Sequence, residues 1–286
     1  MAKKILVLGG TGMFGLPITR MLQSDGFQVR LLARDTEKAW RLFDEILEIA
    51  PGDVTDLASL ETAMDGCQGV LISVGGPVDQ LSAENVAALA PRLGVEHIIY
   101  ISGSTVKEEN RWYPMTAQKL AAEAAIQECG LPFTILCPTW PMEQLPRFVM
   151  NGRATVIGVL PEPWHWFAVK DLAQMVSNAF QRREARGKRL FIHGPEAITV
   201  QLALERYCHV FHPEIEAVAV MPIEAAKALA ASTENTFIQV FAEMMEYFKK
   251  VGEPGDPTEA NQILGAPSTT LDAWMETLRS KGVFMS

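Results

Sequence analysis

Cysteine is scarce: the 286-residue chain carries four, Cys67, Cys129, Cys137 and Cys208, and no two stand at C-x-x-C spacing. That scatter supplies neither a zinc ligand set nor a disulfide framework, so no metal site is expected, and a reduced, cytoplasmic protein is. Positive charge is short as well. With 25 Lys and Arg against 34 Asp and Glu, the net charge is −9, which excludes the basic face that nucleic acid or an anionic membrane rewards. No run approaches the roughly eighteen apolar residues of a membrane span. Ile5–Leu8 follows Lys3 and Lys4 but stops at Gly9-Gly10, too short for the core of a secretory signal. Internal repeats are absent. What remains is 48% hydrophobic residues in a chain long enough for one large domain or two modest ones.

The most informative segment begins at that short apolar run. Ile5-Leu6-Val7-Leu8 reads as a buried parallel strand, Gly9-Gly10-Thr11-Gly12-Met13-Phe14-Gly15 as a turn, and Leu16–Leu22 as a helix. A helix start offers free backbone N–H groups and the positive end of its dipole, and both attract a pyrophosphate. Gly9 suits the tight turn, Gly12 the close approach of phosphates, and Gly15 the packing of helix on strand. The spacing is G-x-x-G-x-x-G. Gly9, Thr11, Gly12, Met13, Phe14 and Gly15 are therefore candidate contacts for a dinucleotide.

Strand and helix signals then alternate. Strands are expected at Gln28–Leu32, Ile46–Ala50, Gly69–Val74, His97–Ile101 and Phe133–Cys137. Helices are expected near Thr36–Phe43, Leu57–Met64, from a Ser82 cap to Leu93, and over Met115–Glu128. Six strands alternating with helices predict an α/β, doubly wound parallel sheet with its ligand at the carboxyl ends of the strands. From Pro138 to Pro163 prolines are too dense for long regular elements. Residues 1–153 are expected to form the nucleotide-binding domain and 154–286 a smaller, mostly helical lobe on the substrate side, with residues near 167–200 returning to the sheet.

The residue that ends the second strand sorts the cofactor. Arg34 lies nineteen residues after Gly15 and would pair with the 2′-phosphate of NADP; Asp35 beside it would instead hold the ribose hydroxyls of NAD. Asp53 and Val54 end the third strand, where a carboxylate faces adenine or merely turns the chain. Ser73, Val74 and Gly75 follow the fourth strand and line the second ribose. Ser102, after the fifth strand, is placed to bond a substrate oxygen or to cap a turn. His165, between Trp164 and Trp166 in the proline-rich stretch, reads as packing, with no partner carboxylate apparent. Met142, Met150, Met244 and Met245 read as core fillers.

Further segments extend the pattern. Lys119-x-x-x-Glu123 precedes Gly130-Leu131-Pro132-Phe133-Thr134-Ile135-Leu136, and Pro138-Thr139-Trp140-Pro141-Met142-Glu143-Gln144 follows. Phe167-Ala168-Val169-Lys170-Asp171-Leu172-Ala173 and His193-Gly194-Pro195-Glu196-Ala197-Ile198-Thr199 come later. With the glycine turn, Arg34 and Gly52-Asp53-Val54-Thr55-Asp56, their order resembles the NmrA-like branch of the atypical short-chain dehydrogenase/reductase family, over roughly residues 3–205. The resemblance implies a Rossmann-like NADP-binding domain with a variable C-terminal substrate lobe. Lys119 matches the lysine that reductase members use, close to both cofactor and substrate; its bland alternative is a surface lysine paired with Glu123 at i+4. Cys137 stands where the family pattern commonly has arginine. The Tyr-x-x-x-Lys proton-donor pair of short-chain enzymes is missing. Tyr113 precedes Lys119 by six residues, about 600° of helical rotation, so it can share a face only from the turn before the helix. The catalytic candidates are Lys119, Tyr113 and Ser102. The expected function is NADP-dependent hydride transfer to a small organic substrate, with NADP favoured over NAD. The alternative is an NADP-binding redox sensor that acts on a regulatory protein partner without turnover. A nucleotide-sugar epimerase is a third reading.

Overall fold

Ile5, Leu6, Val7, Leu8, Leu31, Ile72, Ile98 and Ile99 are all shut off from solvent, as strands covered on both faces require. They belong to a seven-stranded sheet in the computed structural model, which describes residues 2–43 and 47–282. Its strands are β1 (Lys4–Leu8), β2 (Gln28–Ala33), β3 (Glu48–Pro51), β4 (Gly69–Ile72), β5 (His97–Ile101), β6 (Phe133–Pro138) and a seventh at Lys188–Ile192. The order across the sheet is seventh-β6-β5-β4-β1-β2-β3. Every pairing is parallel. The order turns back at β1, so the loops after β1 and β4 open side by side. Of the strand expected at Ile46–Ala50, Ile46 lies outside the described residues.

The sheet belongs to a unit made of Met1–Pro138, Val169–Ile192 and Asp256–Ala266. Its helices include α1 (Gly15–Ser24), α2 (Thr36–Leu42), α3 (Leu57–Met64), α4 (Asp79–Leu89), α5 (Pro114–Glu128) and α6 (Val169–Gln181). Local chemistry sets their starts. Asp56 accepts from the Ala58 and Ser59 N–H groups to cap α3. Pro114 opens α5, where its missing N–H costs nothing, and keeps Tyr113 extended. The helix expected to start at a Ser82 cap starts a turn earlier. Gly76–Val78 forms a 3₁₀ turn that leads into Asp79, and the Ser82 hydroxyl donates back to the Asp79 carbonyl at 2.7 Å. On one face of the sheet Leu60, Met64, Val86 and Ile126 pack on Leu6, Val70, Ile98 and Ile135. α6 packs beside α1 and buries Leu172, Val176 and Phe180.

The second unit comprises Thr139–Ala168, His193–Gly255 and Pro267–Ser286. Helices at Val200–Phe211, Ile223–Thr233, Thr236–Val251 and Leu271–Ser280 surround two three-stranded sheets. One sheet joins Trp140–Pro141, Trp164–Phe167 and Glu196–Ile198, with Trp164–Phe167 in the middle. His165 is thus a strand residue, not a loop residue: its tryptophan neighbours point into a core with Trp140, Tyr207 and Trp274, and alternation turns His165 the other way. Met142 and Met245 fill that core, whereas Met150 is 53% exposed. Among the described residues no helix is long and apolar enough to cross a membrane.

Candidate functional site

The loop after β1 is held in shape by contacts that tolerate no side chain. Gly9 adopts φ +80°, and a Cβ there would lie 2.3 Å from the Ser73 carbonyl oxygen. A Cβ on Gly15 would lie 2.1 Å from the Gly9 oxygen and 2.5 Å from the Gly10 Cα. The Gly12 N–H donates to the Gly9 carbonyl at 3.0 Å and closes the turn. Gly12 itself is exposed, with only the Gly9 oxygen within 4 Å of a built Cβ. Phe14 at the N-cap of α1 has no side-chain oxygen to cap with, and no acidic residue stands in the first turn. The helix start keeps its positive potential.

This loop forms one wall of a cleft of about 330 Å³, which Gly9, Thr11, Arg34, Lys38, Asp53 and Val74 line together with residues of the β2 and β3 ends. Val54 lines it too, whereas Gly12, Met13, Phe14, Gly15, Ser73 and Gly75 do not. Arg34 projects from the end of β2 with its side chain 79% exposed, its Nε 3.9 Å from Asp53 Oδ2. Asp53 Oδ1 accepts from the Thr55 N–H at 2.9 Å and from its hydroxyl at 2.8 Å. The Thr55 bonds first, and the Arg34 charge second, hold its carboxyl below the usual range. Asp53 thereby turns the chain.

Asp35 lines the cleft too, with one carboxylate oxygen engaged in a helix cap. Its Oδ1 accepts from the Lys38 N–H at 2.8 Å and caps α2. Asp35→Ala is expected to lower the unfolding free energy by about 1 kcal/mol in urea denaturation, the cost of a lost cap. The cap turns the first turn of α2 toward the cleft, so Lys38 joins Arg34 there. Lys38 escaped the reading of the sequence, although an aspartate three residues ahead of it is a cap signal.

A second cluster gathers where β4 and β5 end. Lys119 Nζ donates to Asp79 Oδ2 at 2.7 Å, to the Ile101 carbonyl at 3.2 Å and to the Tyr100 hydroxyl at 3.3 Å. The Tyr100 hydroxyl donates to Asp79 Oδ1 at 2.9 Å. The Lys119 and Asp79 side chains are 15% and 3% exposed. Burial first, then the Asp79 carboxylate, drives the Tyr100 hydroxyl far above its ordinary range, so it stays protonated. The lysine's partner is therefore Asp79 and not Glu123. Glu123 binds the Arg189 guanidinium at 2.8 Å and accepts from the Ser102 hydroxyl, while Arg189 also donates to the Val106 carbonyl. Ser102 is buried with its hydroxyl turned to that carboxylate. Tyr113 is half-buried in the turn before α5, its ring edge-on to Trp112 at 6.1 Å. Cys137 is buried in β6, and burial pushes its thiol up to about 12.

In the second unit His165 does have a carboxylate partner. Its Nδ1 lies 2.5 Å from Glu253 Oε2, and its backbone N–H donates to Glu253 Oε1 at 2.7 Å. Nothing in the sequence links positions 165 and 253.

A family model described as NAD(P)H-binding matches residues 9–159, just over half of the chain. The chain is 25% identical to a (4-alkanoyl-5-oxo-2,5-dihydrofuran-3-yl)methyl phosphate reductase of Streptomyces griseus, over 94% of this chain and 96% of that protein. Among solved structures it superposes on the NADPH-dependent quinone oxidoreductase of Escherichia coli in complex with NADPH. There the TM-score is 0.78 at 20% identity, covering 96% and 99% of the two chains. A triphenylmethane reductase of Citrobacter sp. complexed with NADP(H) matches at a TM-score of 0.77 and 19% identity, with the same coverage.

Proposed function

Because the chain belongs to the NAD(P)H-binding family, we propose that it is an NADPH-dependent reductase of small organic molecules. The observation that carries this reading is the state of the two residues that end β2. Arg34 is exposed and faces the cleft with Lys38, while Asp35 caps its helix. Two cations in a cleft whose carboxylates, Asp35 and Asp53, each have an oxygen engaged by backbone N–H groups suit a 2′-phosphate, whose charge a guanidinium can pair bidentately. The glycine cradle suits a pyrophosphate, since Gly9 and Gly15 leave no space for side chains behind it. When bound, NADPH supplies the hydride. The chain's own groups bind, orient and move a proton. Arg34 and Lys38 hold the adenosine end, and the loop N–H groups hold the diphosphate.

Lys119 is the proton donor on this reading. Its ammonium sits at the carboxyl ends of β4 and β5, fixed by Asp79 and the Ile101 carbonyl. Of its three N–H groups, one meets a carboxylate, one a backbone carbonyl and one the neutral Tyr100 hydroxyl; the last is the one this reading assigns to a substrate oxygen. Ser102 and Tyr113 carry no proton step on this reading, the Ser102 hydroxyl being engaged by Glu123. A relative matched over almost the full length is a reductase, and free thiols at Cys67, Cys129, Cys137 and Cys208 suit a reducing, cytoplasmic setting.

The expected result is a Kd for NADPH at least about tenfold below that for NADH, equivalent to ~1.4 kcal/mol. Arg34→Ala should erase most of the difference, and calorimetric titration of both cofactors measures it. Equal affinities in the wild type would remove Arg34 from this role. One observation favours a second reading, a non-catalytic NADPH sensor acting through a protein partner: the Lys119 ammonium is neutralised by a buried Asp79. Such a protein would bind NADPH and oxidise none with a panel of quinones, aldehydes and enones.

A further inference from the structure

Two histidines and a glutamate meet in the second unit. His165 lies mid-strand in Trp164–Phe167. His193 is brought to it by Gly194, whose backbone presses so closely on that strand that a Cβ would lie 1.6 Å from the Trp166 oxygen. The two imidazoles are 5.1 Å apart between centroids. Glu253 arrives from the other side: the Thr236–Val251 helix ends at Gly252, and the next residue turns its carboxylate onto the pair. Glu253 Oε2 is 2.5 Å from His165 Nδ1 and 4.0 Å from His193 Nδ1.

The orientation of His193 is readable. Its Nε2 lies 3.3 Å from the Pro254 carbonyl, which can only accept, so Nε2 carries a proton and Nδ1 is the nitrogen turned to Glu253. A backbone carbonyl behind the far nitrogen is the arrangement that orients imidazole ligands on metals. Tetrahedral ligands at zinc distances stand about 3.4 Å apart, between the two separations seen here. The three ligand atoms all lie within 4.8 Å of one another. Two nitrogens and one carboxylate oxygen suit zinc-class cations rather than magnesium or calcium, which take oxygen.

We propose that His165, His193 and Glu253 bind one divalent transition-metal cation of the zinc class, with a coordination position left open. The His165 side chain is 37% exposed, whereas those of His193 and Glu253 are 8% and 10% exposed, so the cation enters past His165. The proton held between His165 Nδ1 and Glu253 leaves to water as the cation takes its place. The scattered sequence positions 165, 193 and 253 give no ligand-spacing signal.

Zinc chloride titrated into chelator-stripped full-length protein tests this by calorimetry. One site per chain is expected, and His193→Ala and Glu253→Gln should each weaken it at least ~10-fold. His212→Ala, at a half-buried histidine paired with Glu214, should leave it unchanged. X-ray absorption on the wild-type zinc complex needs no variant: a shell with two imidazoles supports the site. An oxygen-only shell, no saturable binding, or undiminished affinity in both folded variants would overturn it.

Discussion

Lys119→Ala should lose at least ~100-fold in kcat toward any substrate the wild type reduces, with its Kd for NADPH within about threefold. That split marks a group that acts in the reaction and not in holding the cofactor. The same variant leaves Asp79, 3% exposed, without its cation. Its unfolding free energy should therefore fall by about 3 kcal/mol, the low end for breaking a buried pair. Turnover is best read well below the lowered melting temperature. Asp79→Asn separates the two effects, because it keeps the ammonium and removes only the carboxylate that fixes it. If Lys119→Ala keeps more than a tenth of wild-type kcat while losing stability as expected, the lysine is a structural partner of Asp79 and Tyr100.

The second large effect is expected at Gly12. Gly12→Val should cost at least ~100-fold in affinity for both NADPH and NADH while the melting temperature stays near wild type. A Cβ at Gly12 meets only the Gly9 oxygen, at 3.2 Å, a close contact that a shift of a few tenths of an ångström relieves. The space there is where a pyrophosphate must approach the backbone. Gly15→Ala offers the contrast: its methyl would collide with Gly9 and Gly10, so stability and binding should fall together. Circular dichroism and fluorescence titration on both variants measure this. A folded Gly12→Val protein with wild-type affinity would displace the pyrophosphate from this loop.

The sheet and the glycine loop were legible because each depends on nearest neighbours: an apolar run, a turn, a helix start. Arg34 was legible as a candidate by its distance from Gly15. What decides between Arg34 and Asp35 was not, since it rests on the Asp35 carboxylate bending to Lys38 N–H. Local rules also misled. The i+4 spacing of Lys119 and Glu123 suggested a surface pair, yet each is claimed by a residue from another element, Asp79 and Arg189. Tertiary partners outbid helical ones where the helix face is buried. Ser82 shows the same limit, because a 3₁₀ turn upstream started the helix before the cap signal. Glu253 meets His165 across 88 positions, beyond any periodic pattern.

The seventh strand gives the sheet a timetable. Lys188 pairs with Thr134 of β6, and Ile192 with Pro138, so the partner of β6 emerges from the ribosome 54 residues (188 minus 134) after it. At bacterial and eukaryotic elongation rates that is a wait of roughly 3–10 s. Throughout it the backbone edge of β6, with the buried Ile135, Leu136 and Cys137 beside it, stands open to any other extended chain. Nascent protein halted between positions 138 and 188 should therefore be far more prone to strand-mediated aggregation, or to capture by chaperones, than chains released after 192.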